Sequence, residues 1–237
     1  MKYLIIDKRL RKVEKEALKI LGYELIELEK SDRVYEEISS HVDIFCTKIK
    51  NKLIVEESKY KYIKNKLEDT IEPVQGESSV SKDYPYDIPY NICIIGNRAI
   101  HNFEYTDKQI LEILKKENFE LINVNQGYSN CSIAVIDENS IITNDIGIYN
   151  KLKKCGLDIL FLDYELDIKL LKENNYSKMK GFIGGAISRV GDNIFISGDL
   201  NKIDIENKIR NFIERKNLQI IDFKDLDVID YGGVLEI

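Results

Sequence analysis

The sequence predicts an α/β protein built from five strand-strand-helix-strand units set in a ring. Three observations predict it: a block of elements that recurs, its near-constant spacing, and two chain ends that complete one another. The N-terminus offers a strand, "KYLIID", a helix, "VEKEALKILG", and a strand, "YELIELE", but no strand ahead of them. "HVDIFCTKIKNKLIVEES" then reads as two strands about a polar turn, followed by a helix, "KYKYIKNKLED", and a strand, "TIEPVQ". "PYNICIIGNRAIHNF", "TDKQILEILKKENF" and "LINVN" repeat the order, with Thr106 or Asp107 as the helix N-cap. So do "NCSIAVIDENSIITND", "IGIYNKLKKCG" and "LDILFLD", with Gly156 as a C-terminal stop. "GGAISRVGDNIFISGD", "IENKIRNFIERKN" and "LQIIDF" make the last whole copy. The spacing is roughly 45 residues, typical of cyclic or stacked repeats.

The chain ends in "DYGGVLEI", a first strand with nothing after it. Joined to the N-terminal segment it completes a fifth unit, and pairing the two removes an open sheet edge. The expected units are 232–237 with 1–36, 41–75, 87–125, 128–165 and 181–224, in one domain over 1–237.

Composition bounds the function. The 237 residues are 43% hydrophobic and 32% charged, the balance of a folded rather than a disordered chain. A net charge of −6 without a basic tract gives no grip on nucleic acid or membrane. "MKYLIIDKRLRK" is apolar for too short a run to be a signal peptide or span, so a cytoplasmic location is expected. Cys46, Cys93, Cys131 and Cys155 form no CxxC pair and are expected to be free thiols. Cys46 and Cys93 sit in apolar strand runs and Cys155 closes a helix. Cys131, in "GYSNCSIAVID", follows a polar, turn-prone stretch and stands apart.

In a ring, the segments entering each first strand converge near the axis. Counting back from the turns "KIKNK", "DENS" and "GDN" makes Cys131 equivalent to Asp43 and Gly185. The matching places elsewhere are Tyr90 or Asn91, and Gly232 with Gly233. The entrances therefore read "SHVD", "YDIPYN", "GYSNC", "FIGG" and "IDYGG". Carboxylates, an amide, a thiol, a histidine and glycines fill a core poorly. They suit a small polar pocket in which glycines leave room for a ligand.

Five ββαβ units joined end to end resemble the pentein fold, the α/β-propeller of guanidine-modifying enzymes. Those enzymes include arginine deiminases, dimethylarginine dimethylaminohydrolases, amidinotransferases and agmatine deiminases. A translation initiation factor that binds the large ribosomal subunit shares the fold without a catalytic site. "KDYPYDIPYN", "NQGYSNCS" and "GFIGGA" are also similar to segments of uncharacterised bacterial proteins with this fold. The resemblance implies His41 as acid/base, Asp43 as a guanidinium-binding carboxylate, and Cys131, two units further round, as nucleophile. Asp230 falls where the family has a carboxylate one unit before the histidine. In the enzymes the cysteine belongs to the last unit, whereas this chain ends "GGVLEI", so the set is present here in rotated order.

The chemistry so implied is attack of a thiolate on a guanidinium carbon, with neither metal nor organic cofactor required. Asp87, Asn91, Gln126, Asn130, Gly184, Gly185 and Asp230 are the expected substrate-binding residues, by placement at the entrances. The partner expected is a small molecule in a central pocket; a catalytically silent ring that binds a small molecule or protein is the other reading. Arg33 and Arg189 are candidates for a substrate carboxylate or for surface ion pairs. His101 is expected at the surface, and "GESSVSKD" (76–83) reads as either a lid or a connector.

Overall fold

The computed structural model of the chain describes residues 2–67, 71, 73–173 and 175–237. The elements run β1 (Lys2–Asp7), α1 (Lys12–Ile20), β2 (Tyr23–Leu28), α2 (Val42–Phe45), β3 (Cys46–Ile49), β4 (Lys52–Val55), α3 (Glu57–Lys66) and β5 (Val74–Gln75). Next come β6 (Cys93–Ile95), β7 (Arg98–His101), α4 (Lys108–Lys116), β8 (Glu120–Asn123), β9 (Ala134–Asp137), β10 (Ser140–Thr143), α5 (Ile146–Leu152) and β11 (Asp158–Phe161). The chain closes with β12 (Lys169–Lys172), β13 (Asn175–Lys180), α6 (Ile183–Ala186), β14 (Ile187–Val190), β15 (Asn193–Ile196), α7 (Lys208–Glu214), β16 (Gln219–Ile221) and β17 (Leu235–Glu236). Glu68, Asp69, Thr70 and Glu72, expected at a helix end and a strand start, lie outside the described residues.

Among the described residues, five sheets of three strands share one order: β17-β1-β2, β3-β4-β5, β6-β7-β8, β9-β10-β11 and β14-β15-β16. In each, the first two strands are antiparallel and the third is parallel to the second. The parallel step needs a crossover, and each helix from α1 to α7 that follows a second strand supplies it. The two chain ends do meet in one sheet, Leu4 opposite Glu236 and Ile5 opposite Leu235. Tight turns join the hairpins, and Lys50, Gly96 and Gly191 occupy their left-handed positions at φ 54°, 54° and 58°.

Local signals account for the helices. Asp107 is the N-cap of α4 and accepts from Gln109 N at 2.9 Å and Ile110 N at 3.3 Å, while Ile110, Ile113 and Leu114 form its buried stripe. In α1, Glu14 accepts from Arg11 N at 2.9 Å and Leu18 is fully buried. Sheet residues such as Leu4, Ile5, Ile6, Ile54, Ile142 and Ile194 are buried completely, so these strands are covered on both faces.

Three expectations are corrected. Asp43, Gly184 and Gly185 lie not on extended strand entrances but in α2 and α6, single helical turns that precede β3 and β14. The antiparallel β12–β13 hairpin stands between the fourth and fifth units, where no element was expected. His101 is buried rather than superficial: Thr106 Oγ1 lies 2.6 Å from its Nδ1, and its Nε2 lies 3.0 Å from the Gly127 carbonyl. A carbonyl only accepts, so Nε2 carries the proton and Nδ1 accepts from the threonine.

Burial pushes the His101 imidazole down to about 4 from the ordinary 6.5. Between those values the unfolded chain binds a proton that the folded chain refuses, so His101 lowers stability as pH falls through the window. The expected loss is on the order of 3 kcal/mol. Asp43, whose carboxyl is pushed up to about 6, acts oppositely, its stabilising protonation being lost as pH rises from about 4. From neutral to mildly acidic pH, the urea midpoint should therefore fall further, or rise less, in the wild type than in His101→Gln. An equal signed change in the two proteins would refute the assignment.

Candidate active site

The turns ahead of the first strands bring the expected residues together. His41 is the N-cap residue of α2 by position, at φ −61° and ψ 132°, but its side chain caps nothing and turns inward. Asp43 N donates to Gly232 O at 3.3 Å, which ties α2 to the C-terminal segment. The turn 128–132 closes through Ser132 N to Tyr128 O at 3.0 Å and presents Cys131.

Asn91 organises this turn. Its Oδ1 accepts the backbone N–H of Asn130 at 2.9 Å and of Cys131 at 3.2 Å. Its Nδ2 donates to Cys131 Sγ at 3.2 Å and lies 3.4 Å from the Asp43 carbonyl. Cys131 Sγ donates to Asp43 Oδ2 at 2.8 Å, and Asn130 Nδ2 donates to the same oxygen at 3.3 Å. The thiol therefore rests on a carboxylate, not on the imidazole. His41 Nδ1 is 3.8 Å from Asp230 Oδ1, beyond hydrogen-bond length. Asp230 is itself held by Phe182 N at 2.8 Å and Gly232 N at 2.9 Å.

Asp87 joins through aromatic residues. Tyr128 OH donates to Asp87 Oδ2 and lies 3.0 Å from Tyr35 OH. The Tyr128 ring packs against both Tyr84 and Phe182, each with its centroid 5.9 Å away. Tyr35 is close enough to Asp87, Cys131 and Asp230 to feel their charges, which with burial raise its hydroxyl to about 12.

Burial governs the electrostatics: His41 and Asp87 are 0% exposed, Cys131 and Asp230 2%. It drives the His41 imidazole towards neutrality, against the pull of Asp230 and Asp7. It raises the carboxyls of Asp87 and Asp230, and takes Asp43 to about 6 despite the thiol and amide donors. Cys131 is pushed well above the ordinary thiol range by burial, then by Asp43 and Asp230. Both ring nitrogens of His41, Asp43 Oδ1, Asp87 Oδ1 and the Tyr231 hydroxyl make no hydrogen bond within the protein. Buried polar atoms without partners are rare in folded proteins, and one of them belongs to Asp43, the carboxylate that holds the thiol.

A cavity of about 200 Å³ reaches this cluster from one side. Asp43, Asn130 and Gly232 contribute to its lining, and so do residues of β3, β6, β9, β14 and β17.

Of the expected site residues, His41, Asp43, Asn91, Asn130, Cys131 and Asp230 meet directly, and Asp87 meets them through Tyr128. Gln126 does not. Its Nε2 donates to Asp145 Oδ2 at 3.1 Å and its Oε1 accepts from Tyr128 N at 3.1 Å, so it shapes the loop instead. Gly184 and Gly185 do not leave open room for a ligand. A Cβ on Gly185 would lie 1.8 Å from Asp230 Oδ1, and one on Gly184 would lie 2.1 Å from Asn130 O. Arg33 pairs with buried Glu56 at 2.9 Å, and Arg189 donates to the carbonyls of Gly191 and Ile136 at 3.0 and 3.3 Å. The 76–83 segment is anchored, since Glu77 N and Ser78 N donate to Asp107 Oδ2 at 2.8 and 2.6 Å. Tyr35, Tyr128 and Phe182 were missed, although the last two stand beside the small residues of "GYSNC" and "FIGG".

Comparison with known proteins places the fold. The model of a family of unknown function, DUF6873, matches residues 5–235. The chain belongs to that family. No curated protein matches the DUF6873 chain. Among solved structures it is similar to a mutant dimethylarginine dimethylaminohydrolase from Pseudomonas aeruginosa complexed with citrulline, at 12% identity and TM-score 0.61, with 99% of this chain and 98% of that one covered. Agmatine deiminase from C. jejuni is similar at 13% identity and TM-score 0.56, covering 99% and 92%. An amidinotransferase of the saxitoxin biosynthetic pathway from Microseira wollei matches at 10% identity and TM-score 0.52, covering 98% and 93%. The DUF6873 chain thus has the pentein fold. Among the described residues, no helix is long and apolar enough to cross a membrane.

Proposed function

We propose that this chain is a cysteine-dependent hydrolase or amidinotransferase-like enzyme acting on a guanidine- or amidine-bearing small molecule. In this reading the five units close into one ring over 1–237, and the buried cluster on its axis is the active site. The observation that carries it is the convergence of the Cys131 thiol with three buried carboxylates and a neutral imidazole whose nitrogens are free. An amidinium is planar, cationic and rich in N–H donors, which is what Asp43 Oδ1 and Asp87 Oδ1 lack. Its charge would also relieve the electrostatic penalty on a thiolate.

The residues divide the work as follows. Asp43, 2.8 Å from Sγ, takes the thiol proton. The thiolate attacks the central carbon; a C–S bond forms, a C–N bond breaks, and the amine leaves with a proton. The proton that Asp43 took passes to that amine, and His41, neutral and oriented towards Asp230, takes one from the water or acceptor amine that attacks the amidino-thioether. The C–S bond breaks, and Cys131 regains its proton. Asn91 holds the Cys131 and Asn130 amides in place throughout.

The test is to incubate the chain with arginine, methylated arginine, agmatine and simple alkylguanidines, reading ureido product and released amine, with acid-quenched intact mass for the adduct. Turnover lost in Cys131→Ala, and an adduct that accumulates in His41→Gln, are the expected results. Across that panel, no turnover and no adduct would end the proposal.

A further inference from the structure

We propose that Arg9 is a positioning residue for His41: together with the β12–β13 hairpin, its guanidinium fixes the segment that carries the imidazole relative to the segment that carries Asp230. The need for such a brace is visible at the ring. The His41 side chain makes no hydrogen bond within the protein, so its placement depends on its backbone and its packing. Asp230 Oδ1, 3.8 Å from Nδ1, would become a hydrogen-bond partner after a closure of about 1 Å, yet the two stay apart.

Behind His41 the connections are buried or nearly so. His41 N donates to Ile38 O at 3.1 Å, and the adjacent Ser40 Oγ donates to Asp7 Oδ1 at 2.8 Å. Arg9 clasps that carboxylate, its Nε donating to Oδ1 at 3.1 Å and its Nη2 to Oδ2 at 2.7 Å. Its other donors leave the pair. Nη1 donates to Glu36 O at 3.1 Å and Nη2 to Glu37 O at 2.9 Å, both on the run into His41. Nη1 also reaches Leu171 O on β12 at 3.5 Å. A planar fork of five N–H donors serves three segments at once; the compact ammonium of a lysine does not.

The hairpin carries the tie across to Asp230. On β12, Lys169 N donates to Val228 O at 2.8 Å, and Lys169 O accepts from Asp230 N at 2.9 Å. On β13, Ser177 Oγ donates to Glu37 Oε1 at 2.9 Å, and the strand then leads to Phe182, whose N–H holds the Asp230 carboxylate. Among the described residues the other units have no such hairpin. Here it joins the two segments whose side chains face each other.

The separation suits a base, a role that rests on the proposed reaction. Burial keeps the imidazole neutral, while Asp230 and Asp7 favour its charged form and Arg9 opposes it. Asp43, on α2 itself, faces the thiol instead. At 3.8 Å, Asp230 does not bond the neutral ring but attracts the imidazolium that forms as His41 takes a proton. The interaction therefore strengthens as the proton moves, which is where it speeds the step.

Arg9→Lys keeps the charge and removes the fork; Ser40→Ala keeps the ion pair and removes its link to the residue beside His41. Each is checked for a cooperative thermal transition, and the milder Ser40→Ala carries the test if Arg9→Lys does not fold. The chain has only two histidines, so proton–nitrogen correlation spectra resolve both rings, with His41→Gln to identify one and His101 as internal control. The His41 ring signals should move in both variants while those of His101 stay. Breakdown of the amidino-thioether, followed by acid-quenched mass, should slow at least about tenfold in Arg9→Lys and about threefold in Ser40→Ala. Chloroacetamidine labelling of Cys131, which needs Asp43 and not His41, should stay within about twofold of wild type. Unmoved His41 signals, equal slowing of labelling and breakdown, or breakdown within about twofold of wild type in every folded variant would overturn the proposal. If the wild type itself forms no adduct, the reaction fails, and the ring signals alone decide whether Arg9 positions His41.

Discussion

Chloroacetamidine should modify Cys131 at neutral pH at least about tenfold faster than iodoacetamide does, and Asp43→Asn should remove most of that advantage. The two reagents differ in charge and in leaving group, and iodide, the better leaving group, works against the expected order. Burial, Asp43 and Asp230 hold the Cys131 thiol protonated, so a neutral alkylating agent meets almost no thiolate. An amidinium brings a positive charge among Asp43, Asp87 and Asp230. A full charge pair at 4 Å is worth about 4 kcal/mol at an effective dielectric of about 20, and a partly protonated Asp43 leaves a fraction of that. The pH dependence has a definite sign. Asp43 titrates at about 6, so the amidine advantage should be present above that pH and fade below it as the carboxyl takes a proton. Cys93, pushed up to about 12, and Cys46, raised further by its apolar surroundings, should stay silent. Equal rates for the two reagents, or modification of Cys46 or Cys93 ahead of Cys131, would end the guanidine reading.

Much of this arrangement was legible because repeats align. Counting back from the hairpin turns put Asp43, Cys131 and either Tyr90 or Asn91 at equivalent places, and of these Asn91 bonds both the thiol and the Asp43 carbonyl. The pairing of "DYGGVLEI" with "KYLIID" was legible for the same reason, since one end lacked what the other offered. Distances between neighbouring entrances were not. The resemblance implied His41 as acid/base and Asp43 as a guanidinium carboxylate, but α2 is one helical turn, which faces the two side chains differently, Asp43 to Cys131 and His41 towards Asp230. His101 was misread because its surroundings come from Thr106 and the Gly127 carbonyl, neither predictable from "AIHNF". Gln126 failed in the opposite way: its amide satisfies local groups, a fate open to any polar residue in a turn. The aromatic cluster escaped because stacking depends on orientation across units, which no periodicity encodes.

Gly184→Ala should cost more than about 3 kcal/mol of stability and abolish selective labelling of Cys131, the largest effect expected of any single methyl group in this chain. A Cβ there would lie 2.1 Å from Asn130 O, 2.5 Å from Ile133 O and 2.7 Å from Cys131 O. All three are backbone atoms, so no rotamer change relieves the overlap. Gly184 N already donates to Cys131 O at 2.6 Å, which shows how closely α6 lies against the thiol turn. Nor can the turn retreat freely, because the Asn91 side chain holds the Asn130 and Cys131 amides. Either α6 or the turn must move, and both movements displace Sγ from Asp43. The neighbouring glycine separates the two halves of the site. In Gly185→Ala the clash, 1.8 Å, is with the Asp230 carboxylate, a side chain, so the His41–Asp230 pair should be disturbed while the thiol turn is spared. Urea denaturation with amidine labelling of both variants reads the difference. A Gly184→Ala protein within about 1 kcal/mol of wild type that still labels at Cys131 would mean that α6 does not position the nucleophile.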